Sequence, residues 1–292
     1  VEESYEEIGR EDETSDLREE AVDPIEDNVS VLIIGVDDSD RRGYNGKSRS
    51  DTLILATFNK ESGDVKLLSI PRDTYTYIPE VGYYSKINHA HFFGGPKAAV
   101  EAVESLLNVP VDYFVRVNFD AFIELVDSLG GIYYNVPYEI SELNSKDKLD
   151  AIKLSPGYQK LDGEEALAVA RTRKYDSDIQ RGERQQELIK SIVRRAKSAS
   201  TVFKLESIIR SVGKNITTNI TFDEMKSFIS YAMDSDFSIK SVTLEGEGAY
   251  LDDGLWYYVL DEEKKLAVSK ELREHLDLPA VQETETQLST GE

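Results

Sequence analysis

Residues 31–70 read VLIIGVDDSDRRGYNGKSRSDTLILATFNKESGDVKLLSI, and this stretch decides the fold. VLIIGV (31–36) is a short continuous apolar run, the pattern of a strand covered on both faces. TLILATF (52–58) and DVKLLSI (64–70) repeat the pattern, and the turn-like NKESG between them predicts a hairpin. A polar loop from Asp37 to Asp51 separates the first run from the hairpin and carries Arg41, Arg42, Lys47 and Arg49.

Downstream the apolar period lengthens. GGPKAAVEAVESLLN, from Gly95, puts Ala98, Val100, Val103, Leu106 and Leu107 on one side, with Pro96 suited to a first helical turn. VDYFVRV (111–117) is strand-like, and FDAFIELVDSLGG is a short helix closed by Gly130 and Gly131. Asp162 followed by Glu165 predicts a capping box at the head of EEALAVARTR. A fourth helix covers 181–199, with Leu188, Ile189, Ile192, Val193 and Ala196 as its stripe. Helices near 203–212 and 222–234, strand-like SVTLEG and WYYVL, and a helix over 261–276 complete the chain. This alternation predicts one α/β domain over 29–278, between a flexible acidic leader (1–28) and a flexible tail (279–292).

Composition narrows the chemistry. With no cysteine among 292 residues, disulfide scaffolds, thiol nucleophiles and thiolate metal sites are excluded. The 34 Lys and Arg against 56 Asp and Glu leave a net charge of −22, which argues against nucleic acid as a partner. Residues 1–28 hold 13 acidic and 2 basic side chains, half of the imbalance. No apolar run approaches the ~18 residues of a membrane span. The sequence opens at Val1 with no signal peptide, so it reads as a trimmed or mature fragment, with any targeting segment outside it.

Against that negative background, ARTRKYDSDIQRGERQQELI (170–189) concentrates four arginines within fourteen residues. Helical spacing puts Arg181, Arg184 and Gln185 on the face of Leu188, Ile189 and Ile192, so that face should point inward. An unpaired buried guanidinium costs several kcal/mol. The arginines therefore meet internal carboxylates, Asp176 or Asp178, or they line an opening for an anionic ligand. Arg171 and Arg173 lie where the preceding helix ends, a favourable place for cations. Planar guanidinium forks suit phosphate or diphosphate. SIPRDTY (69–75) ends a strand with Arg72 and Asp73, either an ion pair or a further anion contact at the carboxyl edge of a sheet. Asp37 and Asp51 stand at the mouths of neighbouring strands. Like charges held close repel, so the two are candidate Mg²⁺ ligands, with water and phosphate oxygens completing the shell, although their spacing matches no self-sufficient metal loop. His89 and His91 suit a structural or substrate-contacting role better than metal ligation, and His275, amid charges, reads as solvated.

VLIIGVD, SRSDT, SIPRDTY, KINHAHFFGG, VDYFVRVNFDAF, VDSLGGI, LDGEEALAVARTRK and RGERQQ, in that order across residues 31–195, resemble the successive motifs of the LytR-CpsA-Psr family of cell-envelope proteins. The nearest likeness is to its wall-teichoic-acid branch in Gram-positive bacteria. The resemblance implies a three-layer α/β/α domain whose central mixed sheet and helices enclose a hydrophobic polyprenyl pocket. It implies a transferase on the outer side of the cell membrane, held by a single N-terminal anchor, that moves a glycopolymer from undecaprenyl diphosphate to the C6 hydroxyl of peptidoglycan N-acetylmuramic acid. By the same resemblance Asp37 and Asp51 serve Mg²⁺, with Mn²⁺ as an alternative, and the diphosphate. Arg72, Arg171, Arg173, Arg181, Arg184 and Gln185 bind the diphosphate. Asp37, Asp51, Arg72 and Arg181 are then the candidate catalytic residues. Where family members often carry an arginine two positions after the first aspartate, this chain has Ser39, and Arg41, Arg42 or Arg49 is expected to substitute. A polyprenyl-diphosphate hydrolase and a non-catalytic envelope binding module are the competing readings. A nucleotide-binding protein ranks last, since no phosphate-loop or dinucleotide fingerprint follows any strand.

Overall fold

The structure, a computed structural model, describes residues 5–7, 14–24, 26–37, 48–173, 177–198, 204–233 and 237–280. In chain order the first strands are β1 (Val29–Val36), β2 (Ser50–Phe58), β3 (Asp64–Ser69), β4 (Tyr75–Ile78) and β5 (Tyr83–Lys86). Helix α1 (Asn88–Leu107), β6 (Tyr113–Val117) and α2 (Phe119–Ser128) follow. Next come β7 (Ile132–Val136), β8 (Ile140–Glu142), β9 (Ile152–Leu154), β10 (Gly157–Leu161), α3 (Gly163–Arg171) and α4 (Asp178–Ala196). The last part holds α5 (Leu205–Val212), β11 (Ile216–Thr218), α6 (Phe222–Met233), β12 (Ser238–Thr243), β13 (Gly246–Tyr250), β14 (Trp256–Leu260) and α7 (Glu262–His275).

The three apolar runs meet in one six-stranded sheet of order β11-β6-β1-β2-β3-β12. β1, β2 and β3 run antiparallel, while β1 with β6 and β3 with β12 are parallel, so the sheet is mixed. Alternation along the strands sends two sets of side chains to opposite faces. Leu32, Ile34, Leu55, Leu68 and Phe114, all fully buried, pack against α1 and α7 in the largest core cluster. Burying a side chain of this kind contributes about 1.5–3 kcal/mol. Val31, Ile33, Ile54, Ala56, Val115 and Val117 point the other way, toward α2, α3, α4, α5 and α6. Helices thus cover both faces, the expected α/β/α arrangement.

The Asp162 capping box is present, with Glu165 N donating to Asp162 and Asp162 N to Glu165, both at 2.9 Å. The helix expected from Gly95 begins earlier. HAHFF forms a first piece from Asn88, and non-helical Gly94 and Gly95, the latter at φ +67°, join it to the piece opened by Pro96. Polar β10 pairs with β7, β8 with β9, and β4 with β5, small sheets that hydrophobic patterning does not announce.

Two sequence readings meet contacts that composition did not reveal. Within the acidic leader, Arg18 is buried against Asp112 at 2.7 Å, and Asp112 also accepts from Ser30 N at 2.8 Å. Ser15 Oγ donates to Glu104 at 2.6 Å, so Ser15 and Arg18 hold this part of the leader against the domain. His275 is buried rather than solvated. Its Nδ1 lies 2.8 Å from Thr57 Oγ1 and its Nε2 3.3 Å from Asp64, because α7 folds back over the β2–β3 hairpin. No helix among the described residues is long and apolar enough to cross a membrane. Residues 281–292 of the expected tail lie outside the described residues.

Candidate active site

The site begins where β1 and β2 end. A register shift falls between Gly35 and Val36. A Cβ on Gly35 would stand 2.8 Å from Thr52 Cβ, so glycine permits the close approach that sets Asp37 and Asp51 at one end of the sheet. Both carboxylates line the mouth of a cavity of about 750 Å³ beneath the sheet. Its walls are apolar: Ile33, Ile54, Phe122, Leu188, Ile192 and Phe228 are representative. Phe122 and Leu167 line the cavity, whereas Phe114 and Val126 are fully buried core.

Cations gather at the same mouth. Arg171, Arg173, Arg181 and Gln185 line it, delivered by the C-terminal end of α3 and the first turns of α4. Arg181 is 6% exposed and pairs with Asp178 at 2.8 Å. Arg181 thus has both an internal ion pair and a place on the cavity lining. Burial pushes the Arg181 guanidinium down, Asp178 opposes that, and Arg72 and Arg173 add to it through their like charge. Arg171 stacks on Phe119 with its guanidinium carbon 4.6 Å from the ring centre. Its Nη1 is buried with no hydrogen-bond partner, a costly state that an anion would relieve. Arg72 donates from Nη1 to Asp51 at 2.8 Å, and its buried Nε, 3.5 Å from Asp73, makes no hydrogen bond. Arg173 approaches Asp51 at 3.8 Å.

Not every predicted residue joins this group. Arg184 is as buried as Arg181 but turns to the end of α3, donating to Val169 O at 2.7 Å, Thr172 O at 2.6 Å and Tyr138 Oη at 3.2 Å. It thereby satisfies carbonyls orphaned at a helix C-terminus and fixes the segment that presents Arg171 and Arg173. Gln185 keeps one hydrogen bond to Ala170 O at 3.2 Å while facing the cavity. Arg49 is exposed and acts electrostatically on His89. Ser39, Arg41, Arg42 and Asp176 lie outside the described residues.

α4 can dock this closely because position 182 is glycine. A Cβ there would stand 2.8 Å from Ser69 Cβ, and Ser69 Oγ donates to Gly182 O. The two histidines serve the surroundings. His91 accepts from Arg116 Nε at Nε2 and so donates from Nδ1 to Ser48 O at 2.7 Å. His89 Nδ1 is 2.9 Å from Ser85 Oγ. Sequence reading missed Phe119, the platform under Arg171, and Glu142 on the cavity wall. The aromatic at the start of α2 was the available signal for the first, while Glu142 sits on a strand with no apolar pattern.

For a metal, the described residues contain no group of three or more His, Cys, Asp and Glu side chains poised together. Asp37 and Asp51 form a two-carboxylate set, which fits an ion that keeps water and takes ligand phosphate oxygens, the habit of Mg²⁺.

An uncharacterized protein of Staphylococcus aureus is 48% identical over 271 residues, 91% of this chain; the chain spans 66% of that relative's length. The Bacillus subtilis protein named polyisoprenyl-teichoic acid–peptidoglycan teichoic acid transferase TagT is 38% identical over 266 residues, covering 90% of this chain and 82% of its own. Among solved structures, TagT bound to LIIa-WTA superposes with a TM-score of 0.78 at 36% identity, over 91% of this chain and 97% of that one. TagT with bound octaprenyl pyrophosphate lipid gives 0.74 at 34%, with the same coverage. The family model described as LytR_cpsA_psr matches residues 1–274, and the chain belongs to that family.

Proposed function

We propose that this chain is a phosphotransferase that attaches an anionic glycopolymer, wall teichoic acid, to peptidoglycan, taking it from an undecaprenyl diphosphate carrier. One observation carries the reading: a cluster of arginines, one with an orphaned buried nitrogen, at the mouth of an apolar cavity of about 750 Å³. An anionic head and an oily tail on one molecule match that juxtaposition. The names of the relatives and the octaprenyl pyrophosphate in a neighbouring structure support it.

In this reading the tail enters the cavity and the diphosphate rests among Arg171, Arg173, Arg181 and Gln185. The muramic C6 oxygen attacks the phosphorus that carries the glycopolymer. The bridging P–O bond breaks, a phosphodiester forms, and the lipid leaves as its monophosphate. Phosphoryl transfer asks a protein mainly for positioning and charge stabilisation. Arg171, with an unsatisfied donor, and Arg181, already desolvated, supply both. Asp51 meets Arg72 and Arg173, and Asp37 or Asp51 is the local carboxylate to take the proton of the attacking hydroxyl. Asp37 and Asp51 are also the residues that would hold Mg²⁺, or Mn²⁺. When bound there, such an ion would neutralise charge on the diphosphate. Arg184 acts through α3 as a positioning residue. The domain works outside the cell membrane, tethered by an N-terminal anchor.

The test is acceptor dependence. Lipid-linked glycopolymer incubated with glycan strands should give a joined product and prenyl phosphate, and Arg181→Ala should abolish both while lipid-free protein keeps its melting temperature. Equal phosphate release with and without glycan would mean a hydrolase, and no release at all would leave a binding module.

A further inference from the structure

The β4–β5 hairpin begins three residues after Arg72, and three of the four side chains on one of its faces are tyrosines. In register, Tyr75 stands opposite Lys86 and Tyr77 opposite Tyr84, so these four share one face. Tyr75 stacks on Tyr84 at 5.3 Å between centroids, and Tyr77 meets Tyr84 edge-on at 5.6 Å. Tyr257 from β14 closes the inner end, 5.0 Å from Tyr75. Tyr84 nonetheless leaves 59% of its surface in water and Tyr77 38%. Lys86 is the charged member of the four, and ring faces and hydroxyl groups make up the rest of the strip.

The strip is continuous with the candidate active site. Asp51 holds Arg72, Asp73 follows at 3.5 Å, Lys86 holds Asp73 at 3.0 Å, and Lys86 lies 5.5 Å over the Tyr257 ring. His89 stands at the foot of β5, half-buried and driven toward its neutral form by burial, Arg49 and Lys86. With Nδ1 at Ser85, its Nε2 remains for a hydroxyl. Beneath, Asn88 Oδ1 is buried with no hydrogen-bond partner while Asn88 N donates to Arg72 O.

We infer that this tyrosine face is the subsite for the acceptor glycan: pyranose rings of a β-linked N-acetylhexosamine strand lie on Tyr84 and Tyr77, delivering one primary hydroxyl toward Arg72 and Asp51. The inference rests on the transferase reading for its direction, and ring shape selects the occupant: the apolar face of a pyranose lies flat on aromatic carbon while its hydroxyls meet phenol groups, contacts that an acyclic glycerol-phosphate chain does not make. Exposed tyrosines are also good anchors, because two torsions freeze a large contact area.

Equilibrium binding of soluble, peptide-free N-acetylglucosamine–N-acetylmuramic acid strands, measured by calorimetry without any lipid donor, tests the subsite independently of turnover. The native chain should bind these strands, and Tyr77→Ala with Tyr84→Ala should weaken binding at least about tenfold, about 1.4 kcal/mol. Tyr84→Trp, which keeps the ring, should retain it, and octaprenyl diphosphate binding should be unchanged in all variants as proof of folding. In transfer assays the double variant should raise the KM for glycan with kcat nearly constant. Native-like glycan binding by the double variant, or tighter binding of a glycerol-phosphate polymer than of the strands, overturns the inference. Glycan binding that is lost in the double variant, in a protein that transfers nothing, would sink the transferase reading and leave the subsite standing.

Discussion

Leu32 and Ile33 are neighbours in β1 and live in different worlds. Leu32 enters a face filled by α1 and α7 until nothing is exposed, and Ile33 enters a face where five helices stand off around a hollow. The same contrast runs through β2, with Leu55 on the closed side and Ile54 on the open one. Both faces are equally apolar, so hydrophobicity alone does not say whether a side chain holds the fold together or lines a vessel. The difference lies in what the opposite layer supplies: the closed side receives α1, dense in alanine and valine, and the open side receives α3, with Arg171 in its last turn, and α4, with Arg181 in its first.

The sharpest way to separate the two faces is Arg171→Ala, at the rim of the open one. Losing one donor to a developing phosphate charge should cut transfer by about 10²–10³. The melting temperature should stay near that of the parent, because Arg171 Nη1 has no partner to lose. A large fall in melting temperature would show that the rim holds the fold as well, and the contrast would fail. Next in size is a pair of truncations followed by denaturant titration. Leu55→Ala on the closed face should cost about 2–5 kcal/mol, a transfer loss plus a new cavity. Ile33→Ala should cost about 1 kcal/mol, since its side chain already borders empty space, but it should weaken prenyl binding. Equal costs would erase the distinction. The smallest effect concerns α7, which covers the closed face and is tied down by His275 against Thr57 and Asp64. Burial holds His275 below the usual histidine range, despite Asp64. Burial would raise Asp64, but hydrogen bonds from Lys240, Ser62 and His275 outweigh it and leave Asp64 well below the usual carboxylate range. A histidine depressed in the fold is protonated more readily in the unfolded chain, so stability should fall as pH drops below about 6.5. Melting curves at pH 7.5 and 5.5 should differ in that direction and differ less in His275→Gln. Asp64 adds no loss in that window, since its contribution is surrendered only at far lower pH.

Much of this was legible in residues alone. The hairpin register, with Leu55 opposite Leu68, follows from two apolar runs and a five-residue turn. The inward arginine face of α4 follows from helical period, and Arg181 and Gln185 obey it. Arg184 shares the period and faces elsewhere, because carbonyl oxygens at the end of α3 compete for its fork, and that competition exists only once two helices pack. His275 deceived for a similar reason: its neighbours in sequence are charged, but its neighbours in space are Thr57 and Asp64. The β4–β5 hairpin was hidden because YTYI and YYSK place tyrosine on an outward face, where pattern reading expects polar residues. The hollow itself has no sequence signature, since it is made by where helices stop short of each other.

That hollow leaves the chain with a deficit in packing that only a guest can fill. Side chains around an empty space lack dispersion partners on one side, and each methylene entering from water contributes about 0.8 kcal/mol. On the proposed reading, a long hydrocarbon seated there would complete the interior as much as occupy a site, and its departure after reaction would be driven against that gain. Release of the spent carrier, its tail seated between sheet and helices, would then be the step at which the architecture resists turnover.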